Sequence, residues 1–299
     1  MDLLILAGGM GSRFGGLKQI EPIHHNGEFI IDYSIYDAIK AGFDRVVFLI
    51  KRETYDIFRE TVGKRVESKI KTEYVFQELD NLPNGFNFPE GREKPWGTAH
   101  AIWCCRDVIK DNFAIINADD FYGRDAFMSV AKELKKNTDL DKYFGVGYRV
   151  ENTITENGAV KRGIISVDNN KNLVSIEESN IEKQGDKIVA TYLKGGEPFE
   201  IKPDTLVSMN VWGFTPKLFD YLYDGFASFF ETAKNNPMKS EYLIPDVIND
   251  LVQSEKVNAK ILDTSSTWYG VTYREDKDSV VRAINTMVEN GEYPDNLWE

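Results

Sequence analysis

The sequence predicts an α/β fold: an open, doubly wound, mostly parallel sheet that carries a β-rich second part. Three observations predict it. An apolar run at residues 3–6 feeds directly into a loop with five glycines between Gly8 and Gly16. Strand-like apolar runs then alternate with helix-spaced stretches to about residue 140. From residue 142 the pattern changes to closely spaced strands with polar turns. Alternating β and α elements give a parallel sheet with helices on both faces. On such sheets ligands sit outside the carboxyl ends of the strands, where the glycine loop leaves the first strand.

The elements follow in order. The run at 3–6 reads as a buried strand. Apolar residues at helical spacing mark a helix over 30–41, and Gly42 stops it. A second buried strand covers 45–50, a helix 55–62 and a third strand 72–77. The segment 78–95 has three prolines, two glycines and little periodicity. A loop of that length is commonly functional, and it reads either as a flap over the ligand edge or as a plain surface excursion. A helix starts at Gly97 and runs to about residue 109. The fourth strand, 113–117, ends in Ala118-Asp119-Asp120-Phe121-Tyr122-Gly123. Strands are then expected at 143–150, 161–167, 173–177, 187–193 and 205–214. Thr215 and Pro216 make a cap and first-turn pair for a helix over 216–230. A further helix covers 242–252, late strands 259–262 and 268–271, and a last helix 276–290.

Composition narrows the function. The chain has 299 residues, 42% hydrophobic and 28% charged, with a formal net charge of −12. Such a charge argues against nucleic acid or an anionic membrane as partner. A site for a polyanion must therefore hold its own cations. No apolar run approaches a membrane span, and no leader pattern precedes the first strand, so a cytoplasmic protein is expected. Cys104 and Cys105 are adjacent, which suits neither a disulfide nor a metal site and reads as two reduced thiols on a helix. His24, His25 and His100 have no metal partner at recognisable spacing.

The glycine loop carries the chemistry. Glycines let successive backbone amides converge on one point, an arrangement that suits phosphate. Arg13 could grip phosphate oxygens in bidentate fashion, and Lys18 adds a point charge. The loop reads as a cradle for a nucleoside triphosphate, against a solvated glycine-rich turn. It is neither a Walker A loop, since no Gly-Lys-Ser/Thr follows, nor a dinucleotide fingerprint, since Phe14 stands at the third glycine position. At the end of the fourth strand, the Asp119-Asp120 pair sits where a carboxylate can hold Mg²⁺, which takes one or two carboxylates plus phosphate oxygens. The alternative is an Asp-Asp turn in which Asp120 caps the helix near Gly123.

The stretch Leu6-Ala7-Gly8-Gly9-Met10-Gly11-Ser12-Arg13, followed by Lys18-Gln19-Ile20-Glu21-Pro22, resembles the signature of the nucleotidyltransferases that make nucleotide sugars. The usual Leu-x-Pro-Leu-Thr spacer is replaced by the shorter Phe14-Gly15-Gly16-Leu17. The resemblance implies a Rossmann-like fold of the nucleotide-diphospho-sugar transferase type, forming one domain over 1–299. Residues 1–140 would bind nucleotide and 141–299 the acceptor. It implies that Leu6, Ala7, Gly8, Gly9, Gly11 and Ser12 bind nucleotide and that Arg13 and Lys18 are catalytic. Gln77 would read the base edge, and Gly97 and Thr98 would pack beside base and ribose. Asp119 would hold Mg²⁺. Val174-Ser175-Ile176-Glu177-Glu178 resembles the family's Ile-x-Glu-Lys-Pro element, so Glu178 would contact the sugar. Ser179 stands where that element has its lysine. Lys161 and Arg162 are then candidates for the acceptor phosphate, or a solvated edge pair, and Asn210 would line the acceptor pocket. The family's second metal ligand has no clear counterpart within 268–273, with Asp276 a distant substitute. The implied reaction joins an NTP to a phosphorylated acceptor, most simply a sugar 1-phosphate, with release of pyrophosphate. A cytidylyltransferase acting on a non-sugar phosphate, and a non-catalytic binding module of the same fold, remain alternatives.

Overall fold

In the computed structural model, residues 1–9, 22–155, 157–270 and 275–299 are described. The elements run β1 (Asp2–Leu6), α1 (Ile30–Ala41), β2 (Arg45–Ile50), α2 (Tyr55–Phe58), α3 (Lys64–Val66), β3 (Lys71–Phe76), α4 (Thr98–Trp103), β4 (Phe113–Asn117), β5 (Asp120–Phe121), α5 (Arg124–Lys136), β6 (Lys142–Arg149), β7 (Val160–Val167), β8 (Leu173–Gln184), β9 (Lys187–Tyr192), β10 (Phe199–Ile201), β11 (Leu206–Phe214), α6 (Leu218–Ala233), α7 (Ile244–Gln253), β12 (Asn258–Asp263), β13 (Tyr269–Gly270) and α8 (Asp276–Glu289).

Among the described residues one sheet takes eleven of these strands, in the order β10-β9-β8-β7-β11-β4-β1-β2-β3, with β6 on β11 and β12 on β6. The first half of the sheet, β4-β1-β2-β3, is wholly parallel. β11 joins it antiparallel to β4 and pairs antiparallel with β6 and β7. The second half is therefore an extension of the same sheet and not a separate layer.

Residues 3–6 of β1 and 113–116 of β4 are continuously apolar because helices cover both faces. On one side α1 and α5 pack Ile31, Ile35, Ala38, Phe127 and Val130 against Leu3, Ile5 and Ile116. On the other, α4, α6 and α7 bring Ile102, Leu222, Phe226 and Ile248 onto Leu4, Val47 and Ile115. α1 ends as its sequence requires: Gly42 adopts φ +87° and donates its N–H to Ile39 O. At the other end Asp32 accepts the Phe29 N–H at 2.8 Å. A third apolar cluster ties α8 and the chain end, through Tyr293 and Leu297, to Tyr33 and Phe121.

Several elements depart from the sequence expectation. The helix at 55–62 is broken into α2, a π-type turn at Arg59–Gly63, and α3. The helix beginning at 97 ends at Trp103 and continues as turns to Ile109. β8 runs on to Gln184 because β9 takes over the pairing from β7, which partners it only to Ile181, so its polar residues still have a ladder on one edge. β10 was not expected. Asp120 does not cap α5, whose N-cap Gly123 lacks a side-chain cap; it lies in β5, paired with Gly270 of β13.

Candidate functional site

The carboxyl ends of β1, β3 and β4 meet at one edge. The Ala7 N–H donates to Leu49 O at 2.8 Å and the Ala118 N–H to Leu6 O at 3.2 Å. These bonds hold the start of the glycine loop beside the chain that leaves β4. Gly8 is buried, and a Cβ on it would lie 3.1 Å from Oε1 of Gln77, so the loop backbone and that amide need glycine's small size to sit together. The Gln77 Nε2 donates to Gly97 O at 3.3 Å. Gly97 has φ +99°, and a Cβ there would strike Tyr242 O at 2.5 Å. The structure thus brings Gly8, Gln77 and Gly97 together. The Thr98 hydroxyl is engaged elsewhere, accepting the Ile244 N–H at 3.0 Å at the start of α7. Leu6 ends β1 and Gly9 is exposed. Gly11, Ser12, Arg13 and Lys18 lie outside the described residues.

The segment 78–95 is not a free flap. The Trp96 indole N–H donates to Leu79 O at 3.0 Å. Phe86 stacks on Phe230 of α6 at 4.8 Å between centroids. Arg92 is 3% exposed, lies 3.5 Å above the Trp96 ring, and donates to the carbonyls of Lys94, Pro95, Pro237 and Ser240. A charged side chain is buried here because backbone carbonyls take nearly all its donors.

Two neighbouring carboxylates close β4, and the fold treats them differently. Asp120 accepts Nδ2 of Asn117 at 2.9 Å and the Tyr122 hydroxyl at 3.1 Å on the same oxygen. Burial, and then the charge of Asp119, push its carboxyl well above the usual range. Asp119 is half-buried, and no hydrogen-bond donor among the described residues reaches its carboxylate. Its free oxygens fit a hard cation, whereas Oδ2 of Asp120 already takes two donors. Asp276 is likewise occupied, accepting from Thr155 Oγ1 at 2.6 Å and Asn157 Nδ2 at 2.8 Å.

In the second half of the chain, Asn210 has φ +63° where the β11 register shifts, and its Nδ2 donates to Asn117 Oδ1 at 2.8 Å. Asn117 therefore links Asn210 to Asp120, a role that its place at a strand end did not signal. Glu178 lies across from Gly163 of β7; burial and the nearby Asp246 raise its pKa. Ser179 is buried and donates to Glu177 O at 2.9 Å, so it supplies no charge in the lysine's place.

Lys161 and Arg162, adjacent in sequence, point to opposite faces of β7. Lys161 is exposed, on the Glu178 side by register. Arg162 is 7% exposed, stacked 4.4 Å over Trp268, and donates to the carbonyls of Lys161 and Thr153. Its Nε has no partner among the described residues. Burial pulls its pKa down to about 10 against the charges of Asp120, Glu178 and Asp276.

The histidines find partners that sequence spacing did not offer. His24 Nδ1 faces the buried Glu28 at 3.1 Å, and His25 Nε2 lies 3.4 Å from Asp295 at the far end of the chain. One ligand atom each from His24, His25 and Asp295 falls within 4.8 Å of the others. No described helix is long and apolar enough to cross a membrane.

Comparison with known proteins places these features. Residues 3–272 match the family model described as Nucleotidyl transferase. UTP–glucose-1-phosphate uridylyltransferase of Bacillus subtilis (strain 168) is 31% identical over 129 residues, 39% of this chain and 43% of that protein. The aligned part thus spans less than half the length of that curated relative. Among solved structures, the inositol-1-phosphate CTP transferase from T. maritima matches with TM-score 0.62 and 14% identity over 96% of both chains. UDP-glucose pyrophosphorylase complexed with UDP-glucose matches with TM-score 0.58 and 17% identity, over 95% of this chain and 98% of that one. At these identities the two structures share the fold.

Proposed function

The chain belongs to the nucleotidyl transferase family, and from that premise we propose that it moves an NMP group from an NTP to a sugar 1-phosphate, releasing pyrophosphate. The observation that carries this reading is the pairing at one sheet edge: Gly8, Gln77 and Gly97 around one point, and the unengaged carboxylate of Asp119 at the neighbouring strand end. Residues 1–140 would bind the nucleotide and 141–299 the acceptor. Gln77 meets the base. Arg13 and Lys18 grip the phosphates of the leaving group. Glu178 and Asn210 orient the acceptor, and Lys161 is its nearest exposed cation. Mg²⁺ on Asp119 would neutralise charge that builds up on the phosphates. The acceptor phosphate is already ionised near neutral pH, so no general base is required. Catalysis is then positioning and charge stabilisation without a covalent intermediate. The partners are small molecules, and the site of action is the cytoplasm.

A second reading has a specific observation behind it. Ser179 brings no cation to the acceptor phosphate, which favours a cytidylyltransferase acting on a non-sugar phosphate. Pyrophosphate release, measured for five NTPs against glucose 1-phosphate and inositol 1-phosphate with Mg²⁺, separates the two. Sugar-dependent release that falls at least 100-fold in Lys18→Ala supports the first reading. Release with CTP and inositol 1-phosphate alone supports the second. Tight NTP binding without release across this panel would mean a binding module.

A further inference from the structure

Beneath Gln77 lies a histidine that the transfer itself does not use. We propose that His100 is a positioning residue: it fixes which way round the Gln77 amide sits, and so makes the group that meets the nucleobase a hydrogen-bond acceptor. This rests on the reading of Gln77 as the base contact.

His100, on α4, is fully buried. Its Nε2 faces the backbone carbonyl of Asn81 at 3.0 Å. A carbonyl can only accept, so Nε2 carries a proton. Burial keeps the ring neutral, with its pKa pushed down to about 4 despite the Asn81 bond. A neutral ring has one N–H, so Nδ1 offers a lone pair. The Gln77 terminal nitrogen lies 3.4 Å from that Nδ1 and 3.3 Å from Gly97 O. Both neighbours are acceptors, and both require the NH₂ end. The carbonyl oxygen of the amide is thereby turned toward Gly8, where a Cβ would come within 3.1 Å of it.

A free glutamine can present either end to a ligand. This one has its NH₂ held by Gly97 and His100, and only Oε1 remains for the base. A base that brings an N–H to that point is paired; one that brings a lone pair meets another lone pair. The assignment also gives the segment 78–95 a task. Pinned to α6 by Phe86 and to the carbonyls of Pro237 and Ser240 by Arg92, it supplies the Asn81 carbonyl that sets the tautomer.

Two measurements test this. In wild-type protein labelled with ¹⁵N-histidine, the His100 shifts should report a neutral ring protonated at Nε2. An Nδ1–H ring would overturn the proposal whatever the variants do. The second measurement is the Kd of ATP, CTP, GTP, UTP and dTTP with Mg²⁺. His100→Phe removes the lone pair, and the Kd ratio between the preferred and next-best nucleotide should fall at least fivefold. His100→Asn can keep an acceptor facing Gln77 and should hold the ratio within twofold. A folded His100→Phe with the wild-type ratio sinks the proposal, as does equal loss in both variants. Gln77→Ala is the control. If it too leaves the ratio unchanged, the base reading of Gln77 falls and takes this inference with it. If it collapses the ratio while His100→Phe does not, only the inference falls. Should His100→Phe fail to fold, the tautomer decides.

Discussion

Asp119 and Asp120 are neighbours with the same side chain and opposite circumstances. Asp120 is held by Asn117 and Tyr122, and burial drives it toward its neutral form. An amide resembles that neutral form. Asp120→Asn should therefore keep kcat within about tenfold of wild type, a change of ~1.4 kcal/mol. Asp119→Asn removes the free carboxylate and should cut Mg²⁺-dependent turnover by about 100-fold or more with Tm little changed. Mg²⁺ titrations of kcat check both; equal losses would mean that both carboxylates act at the metal. The sequence placed both aspartates at a strand end and could not rank them by partners. The ranking depends on Asn117, Tyr122 and Gly270, and pairing of β5 with β13 is invisible from either segment alone.

β7 shows the same limit at the scale of an element. Its extent was legible because residues 161–167 read as a strand closed by a polar turn, and period two already puts Lys161 and Arg162 on opposite faces. Which face is buried depends on Trp268, far along the chain. Arg162→Ala would leave the carbonyls of Lys161 and Thr153 without their donor in a buried setting. We expect it to destabilise the protein by about 2–4 kcal/mol, read as a lower urea midpoint at unchanged slope. Lys161→Ala should leave stability within about 0.5 kcal/mol and raise the acceptor KM several-fold with the NTP KM unmoved, because lost uniform binding appears in KM. The opposite pattern, a stable Arg162→Ala with weak acceptor binding, would put the guanidinium on the acceptor. The segment 78–95, which the sequence left open between a flap and a surface excursion, could not be placed for a related reason. Its prolines and glycines do punctuate the chain, but the aromatic and arginine contacts that dock it lie on α6 and in 237–240.

For the whole molecule, buried carboxyls set the pH response. Asp32 and Asp37 lie on α1, and burial is the main cause that raises each to about 6. A carboxyl with a raised folded-state pKa binds its proton more tightly folded than unfolded. Its contribution is fully present below the unfolded value near 4 and is lost as pH rises through 6. Each shift corresponds to something on the order of 3 kcal/mol. Denaturant midpoints should fall between pH 5 and pH 7.5, and less steeply in Asp37→Asn. A midpoint that rises over this range would contradict the argument. The net charge of −12 pushes in the same direction, since raising pH adds to self-repulsion.

The parallel half of the sheet was the most legible part of the fold, because β1, β2 and β4 are buried on both faces and read as continuous apolar runs. The join between the halves was not legible, since it lies in the pairing of β11 with β4, β6 and β7. That join has a practical consequence for protein engineers. A hybrid that takes its second half from a relative should not be spliced near residue 140, between the two composition patterns. β4 should travel together with β11, because a foreign β11 spliced near residue 140 brings its own β6 and β7 but would have to match this chain's β4 in register.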